Sequence, residues 1–138
     1  MTPGVRHRAA YVVGREKVRE YAAAIGEEHA LCHDPEAARA AGFPDVVAPP
    51  MFAAVYCGPA VWPALHDPAA GIAFDRLVHT AQAFTWHAPV AAGDEIETEC
   101  VLSEAKAAAG VQTFVFTTRS VNQRGELVSE GTWTNTVR

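Results

Sequence analysis

The sequence has few cysteines and no regular cysteine pattern. Its 138 residues include three, Cys32, Cys57 and Cys100, with no Cys-x-x-Cys pair. An odd number without a regular framework argues against a secreted domain held together by disulfides. A metal site needs His and Cys ligands at set spacings, and only His29, Cys32 and His33 lie close together. We therefore expect reduced thiols, no metal and no other cofactor.

The sequence also lacks a basic cluster and an unbroken apolar run of membrane-spanning length. Its eleven Lys and Arg residues are scattered and the net charge is −5, so no positive stripe is present to neutralise phosphates or an anionic membrane. The longest apolar stretch, residues 46–65, is interrupted by four prolines, which argues against a membrane span or a signal peptide. We expect a cytoplasmic protein that binds neither nucleic acid nor membrane.

The first half of the chain predicts one short strand and two helices in a single domain that spans residues 1–138. The length suits one core. Residues 9–13 predict a brief strand, and apolar residues then recur at helical spacing up to Gly26, a residue type that favours a helix end. Asp34 and Pro35 predict the N-cap and first position of a short helix that ends near Gly42.

A third helix is predicted over residues 48–65. This segment is apolar all round, a pattern typical of a helix that is buried on every side. Pro59 and Pro63 predict a kink or an end within it, because proline cannot donate the helical hydrogen bond.

The second half predicts a meander of long strands near residues 77–87, 96–102, 111–121 and 127–137, which alternate apolar with polar residues or are rich in β-branched ones. The links at 105–110 and 122–125 are of hairpin length and end in glycine, so the strands should be antiparallel. One buried helix wrapped by a curved antiparallel sheet is the α+β hot-dog fold; a generic α+β sandwich is the alternative.

Residues 21–52 resemble the MaoC-like dehydratases and (R)-specific enoyl-thioester hydratases, and the resemblance extends over residues 11–138, nearly the whole chain. That family carries Gly-Asp-x-Asn-Pro-(Ile/Val)-His-x-Asp, a short helix with alanines, and Phe-x-x-x-(Ile/Val)-Ala-His-Gly-Met. The matching stretches here are Gly-Glu-Glu-His-Ala-Leu-Cys-His-Asp, at 26–34, and Phe-Pro-Asp-Val-Val-Ala-Pro-Pro-Met, at 43–51. The Pro-Val-Ala-Ala-Gly-Asp turn at 89–94 also fits. The chain is most similar to an actinobacterial branch related to the N-terminal, FAS1-like dehydratase half of MaoC-type enzymes, whose members often pair with a second hot-dog subunit.

The resemblance implies chemistry on an acyl thioester delivered by coenzyme A or acyl carrier protein. An acid–base pair handles the water that adds to or leaves the β-carbon, and a backbone N–H at the start of the buried helix polarises the thioester carbonyl. The family aspartate falls on Glu27, the asparagine on His29 and the histidine on Cys32, with His33 one place later. The glycine whose N–H faces the carbonyl falls on Pro50.

The resemblance thus implies Glu27, His33 and His29 as catalytic candidates. The substrate-binding candidates are Pro50, Met51, Phe52, His79 and Gln82. His79 and Gln82 lie three apart on a strand, so they point to opposite faces unless the strand is bulged. Each candidate also has an ordinary interpretation: solvated loop carboxylates, a histidine that caps the helix begun by Asp34, and core side chains on the buried helix.

Three hypotheses for the function stay open. The first is the acyl-binding subunit of a (3R)-hydroxyacyl-thioester dehydratase or enoyl-thioester hydratase, in a dimer whose partner holds the intact catalytic pair. The second is an independent homodimeric hydratase that uses Glu27 and a nearby histidine, and the third is a non-catalytic acyl-thioester-binding protein. A thioesterase is disfavoured, since no carboxylate stands on the buried helix to activate water.

We predict that the chain forms a dimer of hot-dog domains, either with itself or with a second MaoC-like subunit. The open sheet edge and the apolar 48–65 helix both need covering. Light scattering at micromolar concentration should report twice the chain mass for the protein on its own or with its partner. A monomer under both conditions would contradict the prediction.

Overall fold

The computed structural model describes residues 4–138 of the chain. Five strands form one sheet: β1 (Arg6–Val12), β2 (Leu77–Trp86), β3 (Glu95–Ala108), β4 (Val111–Val121) and β5 (Leu127–Val137). Three α-helices accompany them: α1 (Arg15–Ala24), α2 (Pro35–Ala40) and α3 (Ala53–Leu65). Short 3-10 turns lie at Ala30–Cys32, Pro50–Phe52, Pro68–Ala70 and Phe74–Arg76.

The sheet is antiparallel throughout, in the order β1-β3-β4-β5-β2. Helix α3 packs on the inner face of the sheet, against β1, β3 and β4. The core lies between them, where Phe52, Ile96 and Phe116 are completely buried. This arrangement is the hot-dog fold, and it confirms the predicted fold class.

The ends of the first two helices follow the sequence signals. Gly26 has a φ of 75°, in the left-handed region that glycine adopts at little cost, just beyond the end of α1. The carboxylate of Asp34 accepts a hydrogen bond of 2.9 Å from the backbone N–H of Glu36 and so caps α2, which has Pro35 as its first residue. These local signals therefore place the loop at 25–34 between two well-defined helix ends.

Helix α3 differs from its prediction in two ways. It begins as a 3-10 turn and then continues through both Pro59 and Pro63, so neither proline ends it. Both prolines lie four residues apart on an exposed stripe that also carries Trp62, which is 60% exposed. The carbonyl groups that lose their helical donors therefore lie on the open side of the helix, where water can reach them. The prediction that the helix is buried on every side is wrong for the single chain.

The hairpin between β3 and β4 is tighter than the sequence predicted. The strands extend to Ala108 and from Val111, so only Ala109 and Gly110 form the turn instead of residues 105–110. Their φ angles are 53° and 79°, the pair of positive values that a type I′ hairpin requires. The second hairpin turns at Gly125, whose φ of 76° agrees with the prediction for that loop.

An ion pair holds the segment that leads into α3. Both Nε and Nη2 of Arg15, the first residue of α1, donate to the carboxylate of Asp45, over 2.9 and 2.7 Å. These contacts lower the pKa of Asp45 to about 2. The next residues are bound to the segment between β2 and β3, because Val47 forms a β-bridge with Ala91 and the Ala48 N–H donates to the Val90 carbonyl. The start of α3 is thereby fastened from two sides.

Within residues 4–138, none of the helices is both long and apolar enough to cross a membrane.

We predict that Gly131→Ala destabilises the protein, because this glycine lies in β5 between bulky neighbours. An added Cβ would come within 2.6 Å of Thr118 Oγ1 and 2.8 Å of a Phe84 ring carbon. The expected loss is about 1 to 3 kcal/mol, measured by thermal or urea denaturation. Gly58→Ala in α3 is the control, since its Cβ would meet no atom within 4 Å, and it should raise stability by about 0.5 to 1 kcal/mol. An unchanged free energy of unfolding in Gly131→Ala would contradict this close packing around Gly131.

Candidate functional site

A cavity of about 280 Å³ lies beside the start of α3. Three segments enclose it: the loop between α1 and α2, the chain that leads into α3, and the end of β2 with the residues that follow. Its walls are mainly apolar, and the lining residues are Glu27, His29, Leu31, Cys32, Val47, Ala48, Pro49, Pro50, Tyr56, Trp86, Ala88, Pro89 and Val90. We call it the first cavity. Two of the three predicted catalytic residues, Glu27 and His29, therefore share one wall.

The loop conformation determines how Glu27 and His29 are held. The backbone N–H of Leu31 donates to His29 Nδ1 over 3.1 Å, so His29 caps the short turn at Ala30–Cys32. A neutral His29 ring therefore carries its proton on Nε2. Glu27 is half-buried, and its Oε2 accepts from the backbone N–H of His29 over 3.4 Å. Both side chains are thus oriented by the loop that carries them.

His33 is bound within the same loop and does not line the first cavity. Its Nε2 lies 2.6 Å from the backbone carbonyl oxygen of Glu27. Because a carbonyl only accepts, the ring must donate its proton there. The hydrogen bond closes the loop from Glu27 to His33, so in this conformation the ring nitrogen is used for structure. The sequence-predicted pair of Glu27 and His33 is not brought together at the cavity wall.

Cys32 stands where the resemblance places the family histidine, and it lines the first cavity as a buried thiol. Burial raises its pKa, and the nearby Glu27 carboxylate raises it further. The thiol is therefore held in its neutral form, which is a poor nucleophile and a poor base at neutral pH.

The start of α3 offers carbonyl groups where the family offers an N–H. Pro49 and Pro50 both line the first cavity and neither has a backbone N–H, so Met51 is the first residue of this segment that has one. The Pro50 carbonyl accepts from Trp86 Nε1 over 2.8 Å, and the Met51 carbonyl accepts from the Tyr21 hydroxyl over 3.1 Å. These two hydrogen bonds fix the backbone at the cavity mouth.

Met51 and Phe52 do not line the first cavity. Met51 is 42% exposed at the surface, whereas Phe52 is completely buried. The Phe52 ring packs edge-on against Tyr21, with ring centroids 5.4 Å apart, and lies close to Tyr11 and Tyr56. Phe52 is thus placed as a core residue of the single chain.

A second cavity, of about 630 Å³, lies along the open face of α3. It includes His79 but not Gln82 among its lining residues, which are Ala54, Gly58, Pro59, Val61, Trp62, Leu65, Phe74, Leu77, His79, Trp133 and Asn135. The β2 strand is irregular between His79 and Ala81, which is the bulge that the sequence analysis required for His79 and Gln82 to share a face. His79 Nε2 donates to Gln82 Oε1 over 2.9 Å, and the His79 ring stacks on Trp133. Gln82 therefore orients His79 at the cavity wall.

Sequence reasoning missed several lining residues of both cavities. Trp86, in the first cavity, lies 36 residues along the chain from Pro50, and Trp133 and Asn135, in the second, lie more than fifty residues from His79. The local signal for these residues was the position of Trp86 at the end of a predicted strand. In the structure Trp86 is 46% exposed, as is typical of side chains at binding surfaces. Across residues 4–138, no group of three or more His, Cys, Asp and Glu side chains lies together in a way that could hold a metal ion.

A family model and a relative each match most of this chain. A family model described as "FAS1-like, dehydratase domain region" matches residues 2–131. A UPF0336 protein of Saccharopolyspora erythraea is 48% identical over 101 residues, which cover 73% of this chain and 65%, just under two thirds, of that protein.

Two solved structures share the fold over nearly the whole chain. The HadBC (3R-hydroxyacyl-ACP dehydratase) complex of Mycobacterium tuberculosis matches with a TM-score of 0.85 and 27% identity, covering 99% of this chain and 97% of that one. A MaoC-like dehydratase matches with a TM-score of 0.81 and 30% identity, covering 98% of this chain but 42% of that one. The chain is therefore similar to one part of that longer dehydratase.

We predict that Cys32 reacts slowly with iodoacetamide at pH 7 and that Glu27→Gln speeds the reaction. The thiolate is the reacting form, and removal of the Glu27 charge lowers the pKa of Cys32 and raises the thiolate fraction. Mass spectrometry of alkylated peptides measures the rate at Cys32, since Cys57 and Cys100 are completely buried. Glu28→Gln, in an exposed neighbouring carboxylate, is the control and should leave the rate unchanged. An equal rate in Glu27→Gln and the unaltered protein would contradict this geometry.

Proposed function

Since the chain belongs to the family of FAS1-like dehydratase domains in the MaoC-like superfamily, we propose that it is the acyl-binding subunit of a (3R)-hydroxyacyl-thioester dehydratase or enoyl-thioester hydratase. The family consists of hydro-lyases that act on acyl thioesters. In this proposal a second hot-dog subunit supplies the catalytic pair, and coenzyme A or acyl carrier protein delivers the substrate.

The observation that carries the proposal is that Cys32 occupies the position of the family histidine in the first cavity. General acid–base catalysis needs a group within reach of the reacting water whose pKa lies near the working pH. Cys32 occupies the position instead, with a pKa raised by burial. The neighbouring imidazole of His33 is engaged with the Glu27 carbonyl of its own loop. The chain therefore keeps the cavity but has Cys32 in place of an imidazole at the position of the family histidine.

The start of α3 supports the same proposal. Pro50 replaces the glycine whose N–H would polarise the thioester carbonyl, and its own carbonyl accepts a hydrogen bond from the Trp86 indole. Loss of one such donor costs about 10² to 10³ in rate. We infer that the thioester carbonyl is polarised by the partner subunit and that this chain contributes the apolar walls.

The partner is proposed to pair along β2, one of the two edges of the sheet. The other edge, β1, carries Arg6 and Arg8, which are ion-paired with Glu99, and exposed charges protect an edge from pairing. Strand β2 carries Val78, which is 60% exposed, and the half-exposed Trp86. Pairing there would cover both side chains, and it would bring the partner next to the first cavity, because Trp86 forms part of its wall.

A second candidate, the independent homodimeric hydratase, is favoured by one observation. Glu27 and His29 line the same cavity and lie two residues apart in the loop, so a carboxylate and an imidazole with a proton on Nε2 do share a wall. A third candidate, a non-catalytic acyl-thioester-binding protein, agrees with the apolar lining but assigns no role to a partner.

We predict that the chain alone hydrates crotonyl-CoA about 10² to 10³ times more slowly than its complex with a MaoC-like subunit that carries an intact Gly-Asp-x-Asn-Pro-x-His motif. The loss of enoyl absorbance measures the rate. Pro50→Gly restores an N–H, but it should leave the chain alone inactive because Cys32 still stands in place of the family histidine. In the complex, His33→Ala should retain turnover, while the matched change of the motif histidine in the partner should abolish it.

Fast turnover by the chain alone that is lost in Glu27→Gln would establish the homodimeric hydratase and reject the subunit proposal. Binding of the thioester without turnover, both alone and in the complex, would favour the non-catalytic protein. A circular dichroism melt of each variant distinguishes a lost activity from a lost fold.

A further inference from the structure

The second cavity is a preformed apolar channel along one face of α3. Its lining residues from α3 are at positions 54, 58, 59, 61, 62 and 65, which lie on one side of the helix. The opposite wall is formed by side chains from β2 and β5, and Phe74 closes the outer side, with its ring 5.3 Å from that of Trp62. A volume of about 630 Å³ is within the range of small-molecule sites.

Gly58 leaves the middle of this channel open. It lies inside α3, where glycine is less favourable than alanine by about 0.5 to 1 kcal/mol. A Cβ built at this position meets no atom within 4 Å, so its lack of a side chain relieves no contact with the rest of the chain. The space in front of it belongs to the cavity, and a side chain at this position would extend into the channel.

The two cavities are lined by residues that lie close together in the chain around the start of α3. Pro50 lines the first cavity, and Ala54, four residues further along, lines the second. From Ala54 to Leu65 the second cavity then follows the helix for about 16 Å.

One buried polar group opens into this apolar channel. Asn135 is only 3% exposed and lines the second cavity. In the part of the chain that the structure describes, its side chain makes one hydrogen bond, a long one of 3.4 Å from Nδ2 to the Trp133 carbonyl. No side-chain polar atom of residues 4–138 is both completely buried and without a partner. The remaining end of the Asn135 amide therefore faces accessible space, and the cavity is the space it lines.

The cost of burying an amide explains why this group points to a ligand. A buried amide without its hydrogen bonds costs about 1 to 3 kcal/mol, so a channel for unsubstituted alkyl chains would be expected to carry leucine or valine there. The stacked ring of His79 lies on the same wall, and because its Nε2 donates to Gln82, a neutral ring leaves Nδ1 as an acceptor. The channel thus combines aromatic walls with two hydrogen-bonding groups.

We propose that the second cavity binds the distal part of an acyl chain that carries a hydroxyl group, and that Asn135 Oδ1 selects this group by accepting its hydrogen bond. The inference rests on the proposed function in that the acyl chain enters from the first cavity. The aromatic side chains bury the hydrocarbon on either side of the oxygen, and the Asn135 amide replaces the water that the oxygen loses on binding.

The test measures binding by the full chain to free acids, so it does not depend on catalysis. Palmitic acid and a set of hydroxypalmitic acids that differ in hydroxyl position are titrated below their micelle concentrations, and the fluorescence of Trp62 and Trp133 reports occupancy. At least one hydroxylated acid should bind about 3 to 10 times more tightly than palmitic acid, the gain expected from one net hydrogen bond. Asn135→Leu should remove this preference while it retains the binding of palmitic acid.

Two further variants make the outcome independent of Asn135→Leu folding correctly. Gly58→Leu fills the channel from a position with open space and should abolish binding of every acid. Thr132→Val, an exposed position of the same strand, is the matched control and should change nothing. Equal affinity for all the acids, with binding lost in Gly58→Leu, would overturn the selection by oxygen while it supports acyl binding. No binding of any acid would overturn the inference and count against the acyl-binding role as well.

Discussion

The rest of the structure depends on how an apolar helix is covered. Helix α3 packs one side against β1, β3 and β4, with Phe52 completely buried at its start. Its other side carries Pro59, Trp62 and Pro63 at the surface of the single chain. Both cavities lie along this half-covered helix. The second cavity therefore lies between the less buried side of α3 and side chains of β2 and β5, and any partner or acyl chain is expected to use this apolar surface.

Backbone hydrogen bonds explain why the first cavity has walls but an incomplete set of catalytic groups. His29 and His33 are both drawn into the loop between α1 and α2, the first as a cap on Leu31 N–H and the second as a donor to the Glu27 carbonyl. The prolines at the start of α3 remove N–H donors from the opposite wall. Each of these features stabilises the local backbone, and each takes away a group that hydration of a thioester would need.

Most of the fold could be predicted from the sequence because its signals are local. The N-cap at Asp34, the positive φ at Gly26 and the alternation of β3 depend on neighbours within a few residues, and the structure has them where they were expected. The errors arose where distant contacts decide. Two prolines do not end α3, because its exposed side tolerates free carbonyls, and the first hairpin is shorter because β3 and β4 continue to pair up to Ala108 and Val111.

The candidate site divides in the same way. The sequence by itself determined the residue types: two glutamates, two histidines and a cysteine in one loop, and a proline at the position where the resemblance places an N–H. Only the tertiary structure decided that His33 turns onto its own backbone, that Trp86 reaches Pro50 across the fold, and that Asn135 opens into a channel beside α3. The physical reason is that a side chain's direction and partners depend on strand pairing and helix packing between residues far apart in the chain, which local periodicity does not encode.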